Sequence, residues 1–308
     1  MLEINFNGIK TSNLGYGCSL LTRNNNVRSA LLNLETAFEM GIRHFDLARL
    51  YGFGEAETIV GKFAKDKRHE ITITSKTGLK AREMPLWTLP MINFVRGVVK
   101  FNSKLNNAGP LNTSPIFGVF SPNSIQNDLD ISLKKIGTDY LDFYLLHEAS
   151  ISQANREDLI AVLQKNKTEG KIRMYGIASN SLAIRDEYLS LNGSYEILQH
   201  SERLFEQNIA SMPLNDAKVM RIVYNIFSRL SLLKNELSNK QEFNDPIKLL
   251  LSYYQKENAK GITLFSATNN NNISNTVKTW NDLTAGEFET IGCNSKQLFE
   301  QLFSNKKI

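Results

Sequence analysis

Short apolar strands alternate with amphipathic helices along nearly the whole chain, and that alternation limits the folds open to it more than any single residue does. Leu14 to Cys18, Arg43 to Leu47, Glu70 to Ser75, Tyr140 to Leu146, Ile172 to Ala178, Tyr195 to Leu198, Val219 to Phe227 and Ile262 to Phe265 read as strands. Helical spacing fills the gaps over Asn26 to Met40, Glu55 to Phe63, Asn123 to Ile136, Glu157 to Glu169, Leu182 to Leu191, Pro246 to Glu257 and Ile273 to Trp280. Glu202 to Asp216 reads as irregular, the asparagine run Asn269 to Asn272 as a loop, and Ser295 to Phe303 as a final helix. Ahead of the alternation, Asn7-Gly8 separates two short runs within residues 1–12, the pattern of a tight β-hairpin, because a type I′ turn needs positive φ at both central residues.

Eight strands alternating with roughly eight helices predict a closed (β/α)₈ TIM barrel spanning residues 1–308 as a single domain, with the hairpin at one end and a C-terminal helical tail. A doubly wound open sheet is the rival, and it lacks its mark: no strand runs into a Gly-x-Gly-x-x-Gly turn. Gly52-Phe53-Gly54 comes nearest, but it has no third glycine and is followed by Glu55 and Glu57 where a pyrophosphate would lie. One stretch breaks the rhythm. Residues 81–121 carry four of the seven prolines, and a connection of that length predicts a functional loop over the barrel mouth.

Composition narrows the class. With 42% hydrophobic and 22% charged residues, a chain of 308 residues can bury a large core. No apolar run reaches the roughly 20 residues needed to span a bilayer, and the first residues lack a signal peptide's basic start. Two cysteines far apart, Cys18 and Cys293, predict free thiols in a reducing, cytoplasmic setting, with no metal site. The net charge of +5 is interspersed, which predicts no nucleic-acid surface and no membrane partner, and which suits a phosphate-bearing small ligand. Oligomeric state is not legible.

In a barrel all strands point one way, so their carboxyl ends meet on one face. The second strand delivers Asp46 and, in the loop beyond it, Tyr51; the third delivers Lys76; the fourth delivers His147. Tyr51 is the candidate proton donor to a carbonyl oxygen, Lys76 the cation that lowers its pKa, Asp46 the anchor of Lys76, and His147 the group that orients the carbonyl. Such a site needs a hydride source, and side chains supply none; a nicotinamide cofactor does.

The residues resemble the aldo-keto reductases. The resemblance runs from Leu14 to about Trp280 and rests on Gly41-Ile42-Arg43-His44-Phe45-Asp46-Leu47-Ala48 with Tyr51-Gly52 and Glu57, on Ser75-Lys76, on the stretch from Ser132 to Asp142 leading to His147, and on Gly170-Lys171-Ile172-Arg173 with Tyr175-Gly176-Ile177. It implies NAD(P)H-dependent reduction of a small-molecule aldehyde, ketone or sugar carbonyl, or the reverse oxidation, and gives Asp46, Tyr51, Lys76 and His147 the roles just argued. It further implies that Ser179 and Asn180 bind the nicotinamide carboxamide together with Gln199, that Tyr224 stacks on the nicotinamide ring, and that Ser266 and Thr268 lie in the loop taking the adenosine phosphate. The implied cofactor is NADP, with NAD open, because the family's Lys or Arg near this loop is replaced by the asparagine run. Cys18, Phe53 and Trp87 are expected in the pocket walls. Two other readings stay open: a cofactor-binding regulatory subunit of the same fold, and a Schiff-base lyase acting through Lys76.

Overall fold

The computed structural model describes residues 1–23, 26–79, 118–180, 191, 193–201, 218–228, 230–237 and 245–283. All of the expected helix at Leu182 to Leu191 but its last residue, the expected helix at Ser295 to Phe303, the irregular stretch at Glu202 to Asp216, Trp87 and nearly all of the long connection at 81–121 fall outside them. Hairpin strands β1 (Glu3–Phe6) and β2 (Ile9–Ser12) pair antiparallel around Asn7 and Gly8, whose φ values of 49° and 80° are those the Asn-Gly turn requires. Eight parallel strands then close a barrel: β3 (Leu14–Gly17), β4 (His44–Asp46), β5 (Thr72–Thr77), β6 (Leu141–His147), β7 (Ile172–Ser179), β8 (Ile197–Ser201), β9 (Met220–Tyr224) and β10 (Ile262–Phe265), with β10 pairing back onto β3. This is the (β/α)₈ fold that the alternation predicts.

The helices start where their caps place them. Asn26 caps α1 (Val27–Glu39), accepting from Ser29 N, and Ser121 caps α3 (Pro122–Ile136) with proline in its first turn. Between them α2 (Glu55–Ala64) opens with Glu55 and Glu57, acids suited to the positive end of a helix. Short α4 (Ile151–Ala154) precedes α5 (Glu157–Thr168), and α6 (Leu230–Leu237) precedes α7 (Pro246–Glu257), where Asp245 accepts from both Ile247 N and Lys248 N. The asparagine run is not a loop. Asn269 caps α8 (Asn270–Asp282) by accepting from Asn272 N, so the run is the cap and first turn of that helix. Asparagine is weak inside helices yet strong at their starts, which is why composition alone misplaced it.

Strand periodicity sorts the core into two shells. Phe143, Leu145, Met174, Ala178, Ile197, Met220, Ile222, Ile262 and Leu264 fill the barrel interior. Residues of the opposite parity, among them Phe45, Ile73, Tyr144, Leu146, Ile177 and Leu198, pack outward against the helices. Gly15 makes room inside, since a Cβ there would lie 2.7 Å from Leu264 and 2.9 Å from His44. Ile9 with the partly buried Ile4 and Phe6 packs onto the interior cluster, so the hairpin closes one end of the barrel and leaves chemistry to the other. Among the described residues no helix is long and apolar enough to cross a membrane.

Candidate active site

Interior parity, carried to the carboxyl ends of the strands, decides which side chains reach the open end. On β4, His44 points in, Phe45 out and Asp46 in; on β5, Thr72, Thr74 and Lys76 share the inward face; on β6, His147 follows Phe143 and Leu145. Lys76 therefore lies inside a strand rather than after one, and is 2% exposed. Gln199 on β8 and Tyr224 at the end of β9 follow the same parity. Tyr51 arrives differently. It begins a single turn, Tyr51–Gly54, in which Gly52, Phe53 and Gly54 take φ values of 58°, 59° and 86°. A Cβ on Gly52 would sit 2.5 Å from Thr22, so the glycine flank is what lets the loop fold back over the mouth.

These groups share a cavity of about 620 Å³ at the carboxyl ends of the strands, lined by Asp46, Tyr51, Lys76, His147, Asn180, Gln199, Tyr224 and Ser266 together with Gly17, Leu20 and the turn from Asn225 to Ser228. That volume is in the usual range for a small-molecule site. Cys18 and Phe53, expected in the walls, are not among the lining residues.

The Lys76 ammonium spends all three of its protons. It donates to Asp46 Oδ1 at 2.8 Å, Asp46 Oδ2 at 2.7 Å and Leu47 O at 2.6 Å. Burial pulls the Lys76 pKa down and Asp46 pulls it back up. Lys76 Nζ lies 5.1 Å from the centre of the Tyr51 ring, and that ring meets His147 edge-on at 6.5 Å between centroids. By contrast, neither the Tyr51 hydroxyl nor the His147 ring hydrogen-bonds within the described residues, and both side chains stay partly open toward the cavity.

The expected tuning of Tyr51 by Lys76 is not found. The Tyr51 pKa is pushed up, first by burial and next by the negative charge of Asp46. The physical reason is the tight pairing: Asp46 faces the ammonium with both oxygens, so little positive field is left for a phenolate. Burial, and after it the Lys76 charge, drive His147 down to about 3, so its imidazole is neutral and carries one N–H to give.

Gln199 is 2% exposed; its Nε2 donates to Asp46 Oδ1 at 3.0 Å, while its Oε1 has no partner among the described residues. A buried amide oxygen left this way costs about 1–3 kcal/mol, which a carboxamide N–H entering the cavity would recover. The donor set thus fits a nicotinamide. Ser179 belongs to the outward parity of β7 and does not line the cavity; its Oγ donates to Glu148 Oε2 at 3.1 Å. Asn180, one residue beyond the strand, does line it. Its Nδ2 donates to Glu148 Oε1 at 2.8 Å, and its Oδ1 accepts from the Tyr224 hydroxyl at 2.7 Å. Ser266 lines the cavity and donates to Gly17 O at 2.8 Å, whereas Thr268 is half-buried outside the lining. Glu148 escaped the sequence reading, because its position after His147 obeys no strand or helix period.

The aldo/keto reductase family model matches residues 13–206. The chain belongs to this family. Among curated relatives, YqkF of Bacillus subtilis, described as an uncharacterized oxidoreductase, is 30% identical over 190 residues, which is 61% of this chain and 51% of YqkF. An NADH-specific methylglyoxal reductase of Escherichia coli is 28% identical over 197 residues, 63% of this chain and 54% of that protein. The chain thus spans about half the length of these relatives. In fold it is similar to the aldo-keto reductase AKR11C1 of Bacillus halodurans, with a TM-score of 0.73 at 21% identity over 97% of this chain and 95% of that one. The glycerol dehydrogenase AKR11B4 of Gluconobacter oxydans superposes with a TM-score of 0.72 at 16% identity, covering 99% and 97% of the two chains.

Proposed function

We propose that this chain interconverts a small-molecule carbonyl and its alcohol with a nicotinamide cofactor, and that Tyr51 is the group that gives or takes the proton. The observation that carries the reading is the contrast inside one cavity: Asp46 and Lys76 saturate each other, while the Tyr51 hydroxyl and the His147 ring face the cavity without a partner among the described residues. When bound, the cofactor supplies the hydride that becomes a new C–H bond at the carbonyl carbon. Every other task falls to side chains. Neutral His147 donates its N–H to the carbonyl oxygen and fixes its direction; Tyr51, held as a phenol, passes its proton to that oxygen as negative charge develops there. Lys76, anchored by Asp46, packs 5.1 Å from the centre of the Tyr51 ring and holds the phenol in place, and solvent reprotonates the phenolate left behind. Gln199 and Asn180 are the amides within reach of a carboxamide, Tyr224 the ring on which a nicotinamide can lie, and Ser266, with Thr268 farther out, the candidates for the adenosine phosphate.

Schiff-base chemistry at Lys76 is disfavoured, since a nucleophilic amine needs a lone pair and this one is protonated with all three protons engaged. Of the two dinucleotides, family habit favours NADP. One relative is named as NADH-specific, so NAD is the competing arm of the assay.

The test follows the loss of reduced NADP and reduced NAD over a panel of aldehydes, ketones and sugars, with Tyr51→Phe beside the wild type. We expect turnover of at least one carbonyl, a fall of about 10²–10⁴-fold in kcat for Tyr51→Phe, and cofactor affinity within about threefold. Tight cofactor binding without turnover on any substrate would instead assign the chain a regulatory role. Retention of most of kcat by Tyr51→Phe removes the proton-donor assignment.

A further inference from the structure

Glu148 sits where a non-glycine residue rarely settles, at φ 57°, immediately after His147. That conformation costs of order 1 kcal/mol or more and persists only where the surroundings enforce it. Here the enforcement is visible. Glu148 N donates to Ala178 O at 2.7 Å, and its carboxylate accepts from Ser179 Oγ, from Asn180 Nδ2 and from Asn180 N, the last at 3.2 Å to Oε1 and 3.0 Å to Oε2. All of these donors are neutral, and among the described residues the carboxylate has no cationic partner. Among the described residues that line the cavity the other charges cancel: Asp46 is matched by Lys76, and His147 is neutral. Among the described residues this leaves one negative charge beside the cavity, one hydrogen bond from Asn180 and two from Tyr224.

Building on the proposed cofactor reading, we propose that Glu148 is a positioning residue with a redox bias: through Asn180 it fixes the Tyr224 ring, and its charge makes the site prefer the oxidised, cationic nicotinamide over the neutral reduced one. Two consequences separate these effects. Orienting Asn180 and Tyr224 serves both redox states alike, because both offer the same carboxamide and nearly the same ring. The charge discriminates, because only the oxidised ring carries a formal positive charge.

Direct binding of NADP⁺, NADPH, NAD⁺ and NADH, by titration calorimetry or quenching of protein fluorescence, tests this without reference to turnover. The dinucleotide that the wild type binds more tightly is the one followed in its oxidised and reduced forms. In Glu148→Gln the side chain still reaches Asn180 but the charge is gone. Its dissociation constant for the oxidised form should rise about tenfold relative to that for the reduced form, the scale expected for one charge acting across a partly buried site. Glu148→Asp keeps the charge on a shorter arm, so it should weaken both forms yet hold the wild-type ratio within about threefold. Equal loss of both forms in Glu148→Gln, or an Asp variant whose ratio shifts as far as that of Gln, would overturn the redox bias and leave Glu148 a scaffold. If the wild type binds none of the four dinucleotides, the cofactor reading itself falls and takes this inference with it. Normal cofactor binding with an unchanged ratio sinks only the inference.

Discussion

A phenol gives up a proton only from its protonated form, so the upward push on Tyr51 has a kinetic signature. An ordinary tyrosine would begin to lose donor capacity near pH 10, and one tuned downward by a lysine well below that. Here burial and then Asp46 hold Tyr51 above the ordinary value. The reductive kcat/KM should therefore show no alkaline fall attributable to Tyr51 below about pH 10, and Asp46→Asn, which removes the second cause, should bring that fall to lower pH. A wild-type limb centred near about pH 8 would restore Lys76 as the tuner. The residue types of this site were legible because the strand pattern named the positions at which an acid, a lysine and a histidine end on one face. The sign of their interaction was not, since it depends on Asp46 meeting Lys76 with both oxygens. Ser179 was unreadable for a related reason: one extra residue after Gly176-Ile177 puts it on the outward parity of β7, where Glu148 takes it.

Between residues and the whole barrel, elements are locked by contacts that periodicity does not reveal. Asp142, the second residue of β6, is fully buried and accepts from Arg68 Nη2 at 2.8 Å, from Ile73 N of β5 at 2.9 Å and from Arg173 Nη1 of β7 at 2.9 Å. Arg68 in turn donates to Ile71 O, Tyr140 O and Thr138 Oγ1, so one carboxylate ties three adjacent strands at the end opposite the cavity. Removing one partner of a buried pair strands the other. Asp142→Ala should cost about 3–5 kcal/mol of unfolding free energy. Arg173, whose side chain is 42% exposed, works through a screened contact, and Arg173→Met should cost under about 1 kcal/mol. Urea unfolding of both variants checks the pair, and equal losses would show that the cluster is not centred on Asp142. The sequence announced Asp142 as part of a motif but not its task, because a strand-borne acid looks the same whether it faces solvent, substrate or two arginines. The asparagine run teaches the converse: it was legible as something that is not helix interior, and the cap geometry at Asn269 explains how it still belongs to a helix.

At the scale of the whole molecule, the barrel was readable because eight strands and their helices must close somewhere, and the hairpin was readable from Asn7-Gly8; what fills the interior was not. Nothing in the strand pattern gives His44 a task. It lies fully buried in the barrel, with Nδ1 2.9 Å from Thr72 Oγ1, Nε2 3.3 Å from Thr74 Oγ1 and its ring 5.4 Å from that of Phe143. Burial, and after it the positive charge of Lys76, lower its pKa to about 3. In the unfolded chain the same imidazole titrates near ~6.5. Between those values the unfolded state binds a proton that the folded state refuses, so stability rises with pH across the window. The contribution is complete above about pH 6.5 and is lost as the solution is acidified toward pH 3, at about 1.4 kcal/mol for each pH unit well inside the window. His147, also lowered to about 3, acts in the same direction, but its openness to the cavity screens it. Carboxylates add their own acid dependence, so the informative quantity is a difference. Unfolding free energies from urea titrations at about pH 7.5, 6 and 5 should fall more steeply for the wild type than for His44→Asn, the two curves converging by about 1 kcal/mol per pH unit below pH 6. The variant loses packing at every pH, which offsets its curve without changing its slope. Parallel curves would mean that His44 takes up its proton in the folded barrel as readily as in the open chain, a result the two threonine contacts and the complete burial do not allow.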